Sequence, residues 1–194
     1  MKPILIVYAT REGHTRHIAE HIGATLRANQ RFVEILDAGN LPAGFTLTPY
    51  SAVIAAASLH GLKYEAEMVR FVKSNVRQLE QMPALFLSVS LSEVTVENPD
   101  ASPKERAEAE AGIQRTIDAF QEATGWRPTQ VSAVAGALLY SKYNFLIRFV
   151  MKRIARKAGV STDTSRDYEF TDWPALEHLV DQWLSTRTER PAIA

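Results

Sequence analysis

The sequence predicts an α/β three-layer sandwich with a five-stranded parallel sheet, and three observations carry that expectation. Short, nearly unbroken apolar runs recur along the chain, stretches of helical period separate them, and the first run ends in a polar turn of the kind that joins a strand to a helix. Strands alternating with helices need right-handed crossovers and therefore pair in parallel, and five of them suit the order 2-1-3-4-5. The 194 residues have room for one such domain with a sizeable core. It is expected over residues 1–186, with a disordered tail at 187–194.

The first strand is Ile4-Leu5-Ile6-Val7-Tyr8, whose continuous apolarity implies burial on both faces. A helix from Thr15 to Asn29 follows, with Ile18, Ile22 and Leu26 towards the sheet. His14, His17 and His21 share one edge of it, but the helix brings no carboxylate to the matching next turn, so they read as a solvated polar edge with no metal site. Phe32 to Asp37 alternates as a half-exposed edge strand, and Ala52 to Ala57 is a fully buried one followed by a loop from Ser58 to Tyr64. The next helix, Glu65 to Gln81, turns Met68, Val69, Phe71, Val72 and Val76 inward. Ala84 to Ser90 and Val131 to Leu138 are the fourth and fifth strands. Between them, Ser102-Pro103-Lys104-Glu105 is a capping box with proline in the first turn. It starts a helix that runs to about Ala123 and stops at Gly125, with Ala107, Ala111, Ile113, Ile117 and Phe120 able to face the sheet. The eight acidic and three basic residues from Glu93 to Glu122 read as a solvated face. Thr171-Asp172-Trp173-Pro174 opens a last helix to about Ser185, with Leu176, Leu179, Val180 and Trp183 inward.

Composition removes several classes of function. With no cysteine, thiol nucleophiles, disulfides, iron–sulfur clusters and cysteine-based zinc sites are excluded. Lys plus Arg equals Asp plus Glu at 22 each, which argues against a generally nucleic-acid-binding surface. The chain enters a strand at once and has no apolar run of transmembrane length, so a cytoplasmic protein is expected, peripheral at most to the inner face of the cytoplasmic membrane.

The turn Thr10-Arg11-Glu12-Gly13-His14-Thr15 has the chemistry of a phosphate cradle. Thr10 and Thr15 bring hydroxyls, Gly13 permits close backbone approach, and the helix that follows offers unpaired N–H groups at a positive dipole end. The sequence has no G-x-G-x-x-G, and the glycine pair at P-loop spacing, Gly39 and Gly44, is followed by Phe45. Dinucleotide and nucleoside triphosphate sites are therefore unsupported. Ligands of such sheets bind at the carboxyl ends of the strands beside the switch point, which adds Ser58, Leu59, His60 and Gly61 after the third strand and Ser90, Leu91 and Ser92 after the fourth. His60 is the candidate general base by position.

After the fifth strand comes an insert at about 140–170, beyond what such a sheet needs. From Arg127 to Lys157 there are seven basic residues and no acidic one. On a helical wheel Tyr143, Ile147, Val150, Met151, Ile154 and Ala158 form a face suited to packing on the domain. Lys142, Arg148, Lys152, Arg153, Arg156 and Lys157 form the other, with Phe145, Leu146 and Phe149 among them. Apolar side chains within a cationic face suit an anionic membrane surface or a flat acidic ligand, with Phe145, Phe149, Arg148, Lys152, Arg153 and Arg156 as the contact residues.

Thr-x-x-Gly-x-Thr after a first buried strand resembles the FMN phosphate loop of flavodoxins, with Glu12 where those proteins usually carry a hydroxyl. A fuller set resembles the flavodoxin-like protoporphyrinogen oxidases, the menaquinone-dependent protoporphyrinogen IX dehydrogenases. That set is the Thr10–Arg16 loop, Trp126-Arg127-Pro128, Ala135-Gly136-Ala137-Leu138 with Tyr140 and Tyr143, the basic helix, Thr162-Asp163-Thr164 and Thr171-Asp172-Trp173. The resemblance implies a flavodoxin-like fold and bound FMN. It also implies oxidation of protoporphyrinogen IX in haem biosynthesis, over several turnovers, with electrons passed to menaquinone or ubiquinone. A flavodoxin-type electron-transfer protein and an FMN-dependent quinone reductase are the alternatives. Oligomeric state is not legible in the sequence.

Overall fold

The computed structural model describes residues 2–157 and 160–188, without the side chains of residues 145, 146, 150, 154, 157, 187 and 188. The expected sandwich is present. Strands β1 (Ile4–Ala9), β2 (Val33–Asp37), β3 (Ala52–His60), β5 (Ala84–Ser90) and β6 (Gln130–Ala135) form a parallel sheet in the order β2-β1-β3-β5-β6. A short strand β4 (Lys63–Tyr64) pairs antiparallel with the end of β3. The register Ile6↔Ile35 and Ile6↔Ile54 places β1 between two neighbours with every residue buried, as its unbroken apolarity requires.

Helices α1 (His14–Ala28) and α6 (Trp173–Thr188) cover one face of the sheet. There Ile18, Ile22 and Leu26 meet Ile6, Ile54, Leu176, Val180 and Trp183. Helices α2 (Ala66–Leu79) and α4 (Pro103–Thr124) cover the other, where Met68, Phe71, Val72 and Phe120 pack on Leu5, Val53, Ala55 and Phe86. At the centre of that second core Phe86 stacks on Phe120 with 4.7 Å between ring centres, and the fully buried Trp126 lies edge-on to Phe86 at 5.9 Å.

Several elements differ from expectation. Helix α4 carries the capping box between Ser102 and Glu105 and ends at Gly125 as predicted, but Ala107 and Ala111 are exposed and its buried face begins at Ile113. Its first turns meet an unpredicted helix α3 (Ser92–Glu97) instead of the sheet. The acidic stretch is not wholly solvated either. Glu93 on α3 is partly buried, and burial, with the carboxylates of Glu97 and Glu110 adding to it, pushes its carboxyl up to about 7.

The predicted fifth strand is broken at Gly136, whose N–H still reaches the Ser90 carbonyl at 3.0 Å before the chain leaves the sheet. β7 (Ala137–Leu138) then pairs with β8 (Tyr168–Glu169), and these two short strands bracket the insert. Within the insert, a 3₁₀ turn (Tyr140–Lys142) leads into α5 (Phe145–Lys157), and a satellite core of Leu138, Tyr140, Tyr143 and Ala155 holds it. The final helix runs past the expected end of the domain at 186 to Thr188, and residues 189–194 of the expected tail lie outside the described residues.

Two consequences are measurable. Trp126→Ala empties a fully enclosed site and should cost about 3–5 kcal/mol in urea denaturation. The folded pKa of Glu93 lies above the unfolded carboxyl value, so stability is full below the unfolded value and falls as pH rises through about 7. Glu93→Gln should therefore flatten the decline in thermal midpoint between about pH 5 and pH 8.

Candidate functional site

The carboxyl ends of β1, β3, β5 and β6 meet at a cavity of about 450 Å³, within the range of cofactor sites. Thr10, Glu12, His14 and Thr15 contribute from the first loop, Ser58, Leu59, His60 and Gly61 from the end of β3, and Ser90, Leu91 and Ser92 from the end of β5. Thus eleven of the thirteen residues expected to hold a cofactor line one space. Arg11 and Gly13 shape the loop instead.

Gly13 caps α1 at φ +99°, a left-handed conformation that costs other residues dearly, and a Cβ there would meet nothing within 4 Å. The loop's hydroxyls divide their work. Thr10 Oγ1 accepts from the Gly13 N–H at 3.1 Å and fixes the turn, whereas the buried Thr15 hydroxyl has no partner among the described residues. Buried hydroxyls of Ser58 and Ser90 are likewise unpartnered. Three orphaned donors, an open cradle over a glycine and the free N–H groups of the first turn of α1 fit the phosphate-bearing flavin that the sequence implies.

Arg11 does not offer its charge to that cradle. Its Nε donates to Glu65 Oε2 at 2.8 Å, and Glu65, with a side chain 2% exposed, sits at the start of α2. The guanidinium is a strut between loop and helix. Glu12, the departure from a hydroxyl, stands 3.9 Å from His60 Nδ1, so the structure joins these two residues at the edge of the cavity.

The region from Ser58 to Tyr64 is a hairpin and not a loop. β3 runs on to His60, and Gly61 and Leu62, at φ +57° and +66°, make a tight turn into β4. Gly61 takes that conformation freely, while Leu62 holds it strained and 82% exposed beside the cavity. Tyr64, at the end of that stretch, is buried against Phe86 and Phe120, and its hydroxyl donates to Ser88 Oγ at 2.7 Å. Burial pushes that phenol up to about 12.

The insert closes the other side. Leu139, Tyr143, Ile147 and Met151 line the cavity, so the helix face expected only to pack on the domain also walls the site. Periodicity identified that face, but nothing local indicated what it would cover. On the outside of α5, Lys152, Arg153 and Arg156 are exposed beside Phe149, which is 67% exposed. Arg148 departs from expectation, because its Nη2 donates to the Tyr140 carbonyl at 3.0 Å and it serves the turn before α5. The Phe145 side chain lies outside the described residues.

His14, at the start of α1, is almost enclosed. Burial pulls its pKa down against a smaller upward pull from Glu169, which leaves the ring neutral near pH 7.

A family model described as flavodoxin domain matches residues 5–165. The protoporphyrinogen IX dehydrogenase [quinone] of Escherichia coli K12 is 27% identical over 189 residues, covering 97% of this chain and 98% of that protein. A protein of the same name from Leishmania major is 28% identical over 183 residues, covering 92% of this chain and 73% of its own. Among solved structures, oxidised flavodoxin 1 from Bacillus cereus superposes with a TM-score of 0.53 at 13% identity, over 94% of this chain and 97% of that one. An apo NADH:FMN oxidoreductase gives 0.53 at 13% identity, over 99% and 93%.

Thr15→Val keeps shape and removes one orphaned donor, so flavin affinity should fall roughly tenfold or more, measured by fluorescence on flavin release. Gly13→Val adds a side chain to the cradle and should abolish retention. A Thr15→Val protein as yellow and as tight as the parent would move the phosphate elsewhere.

Proposed function

The chain belongs to the flavodoxin domain family, and on that premise we propose that it is an FMN-dependent oxidoreductase that oxidises protoporphyrinogen IX to protoporphyrin IX and passes the electrons to a quinone. The observation that carries the reading is the wall that α5 builds beside the cofactor cavity. An electron-transfer flavodoxin needs the loops from Thr10 to Thr15, Ser58 to Gly61 and Ser90 to Ser92, but it has no use for that wall.

FMN held by Thr15, Ser58, Ser90 and the backbone around Gly13 would supply the two-electron redox chemistry. The chain's own residues would do the rest. Tyr143, Ile147 and Met151 offer apolar surface to a flat tetrapyrrole and keep water from its face. Oxidation of a porphyrinogen releases protons as well as electrons, and in this reading His60, beside Glu12 at the cavity edge, would accept one.

The outer face of α5 has a separate role in this reading. Lys152, Arg153 and Arg156 with Phe149 face away from the cavity lining and suit an anionic membrane surface, where a quinone is found. Each cation near such a surface is worth about 1 kcal/mol, and an inserted aromatic adds a part that salt does not screen. Among the described residues no helix is long and apolar enough to cross a membrane, so the proposed attachment is peripheral, at the inner face of the cytoplasmic membrane.

Anaerobic assay should give protoporphyrin from protoporphyrinogen IX only when menaquinone or ubiquinone is supplied. Quinone reduction by other donors, with no porphyrinogen turnover, would favour the quinone reductase instead. Replacing Lys152, Arg153 and Arg156 with Gln should weaken sedimentation with anionic vesicles and lower turnover of membrane-borne quinone together, while FMN content stays the same. Wild-type protein that ignores such vesicles at low salt would remove the membrane role and leave the chemistry untouched.

A further inference from the structure

The edge of α1 that carries His14 and His17 is completed from the far end of the chain. Glu169, on β8, brings its carboxylate Oε2 to 3.9 Å from the Nδ1 atoms of both histidines. One donor atom from each of the three residues lies within 4.8 Å of the other two. A separation of 3.9 Å is too long for a hydrogen bond and about half an ångström wider than the roughly 3.3–3.5 Å between two ligand atoms held at about 2.0–2.1 Å by one tetrahedral ion, a gap that a small side-chain rotation closes.

Two of the three groups are already fixed for ligation. Thr171 has a single hydroxyl proton and donates it to the Ala135 carbonyl at 2.7 Å, so its oxygen can only accept from His14 Nε2, also at 2.7 Å. His14 is therefore protonated on Nε2, and Nδ1 keeps its lone pair on the side of Glu169. Trp173 Nε1 donates to Glu169 Oε1 at 2.7 Å, which orients the carboxylate and leaves Oε2 for the histidines. Hydrogen bonds that set a tautomer and aim a carboxylate are the outer shell of a metal site.

We propose that His14, His17 and Glu169 form a binding site for one divalent transition-metal ion, of the Zn²⁺ class, at the rim of the cavity that His14 also lines. Two imidazole nitrogens and one carboxylate oxygen suit zinc, cobalt or nickel and not magnesium or calcium, which want oxygen ligands throughout. Three protein donors leave a further position for water. The positive end of α1 works against a cation, and the carboxylate charge works for it. Because the ligands come from the start of α1 and from β8, the ion would tie the helix after the phosphate loop to the strand that closes the insert. His21, one turn further along α1, takes no part, since its Nε2 bonds to Glu177 at 2.7 Å.

The test is calorimetric titration of the flavin-loaded protein with Zn²⁺, with any affinity tag removed and the protein first dialysed against a chelator. One saturable equivalent per chain and a rise in thermal midpoint are expected. Glu169→Gln, which can still accept from Trp173, and His17→Ala, an exposed position, should each weaken binding on the order of tenfold or more, with flavin content unchanged. His21→Ala should bind as the parent does. Absence of saturable binding would overturn the site and leave an ordinary pairing of histidines with a carboxylate, as would a Glu169→Gln protein that binds zinc equally well. A loss in His21→Ala as large as in His17→Ala would also overturn it.

Discussion

The structure depends first on the turn at Gly13. β1 is enclosed between β2 and β3 and buried on both faces, so the chain leaving it must reverse over the sheet's carboxyl edge within a few residues. A left-handed residue makes that reversal and aims α1 so that its first N–H groups point back over the strand ends. The bond from the Gly13 N–H to Thr10 holds the turn from inside, and the pairing of Arg11 with Glu65 ties it to α2. Its conformation is thus set before any ligand arrives, and ordering the loop adds little to the cost of binding.

The second dependence is the chain His14, Thr171, Ala135. A ring on α1 donates to a hydroxyl just before α6, and that hydroxyl donates to the end of β6. Three elements distant in sequence meet through two buried hydrogen bonds. Removing either partner would strand polar groups away from water, which costs more than the bonds themselves contribute. The same contact brings Glu169 and Trp173 alongside α1, so the register between the insert and the turn before α1 is set here.

The insert explains how a common fold acquires a more specific site. Without it, the cavity would be bounded by the loop after β1, the hairpin after β3 and the turn after β5. Gly136 lets the chain leave the sheet against Val89 and Ser90, and β7 and β8 then hold α5 between them. One side of α5 becomes a cavity wall and the other remains a cationic surface with an exposed phenylalanine. A single amphipathic helix thereby faces the site and the surroundings at once.

By itself the sequence determined the strand order, the turn at Gly13 and most of the cavity lining. Apolar periodicity reports burial, and turn chemistry reports local backbone conformation, so β1, β3, β5, Gly13 and the Ser102 cap were legible from neighbouring residues alone. Tertiary structure decided whatever depends on a partner. Tyr64, at the end of a stretch expected as a loop, went to the core because Phe86 and Phe120 lie beneath the β3–β4 hairpin. Arg148 turned to a carbonyl, and Glu93 was caught between two helices. Glu169 supplied the carboxylate that the helix bearing His14 and His17 does not itself bring to them. The physical reason is the same in each case: a side chain's pattern says which way it faces, but long-range contact alone says what it meets.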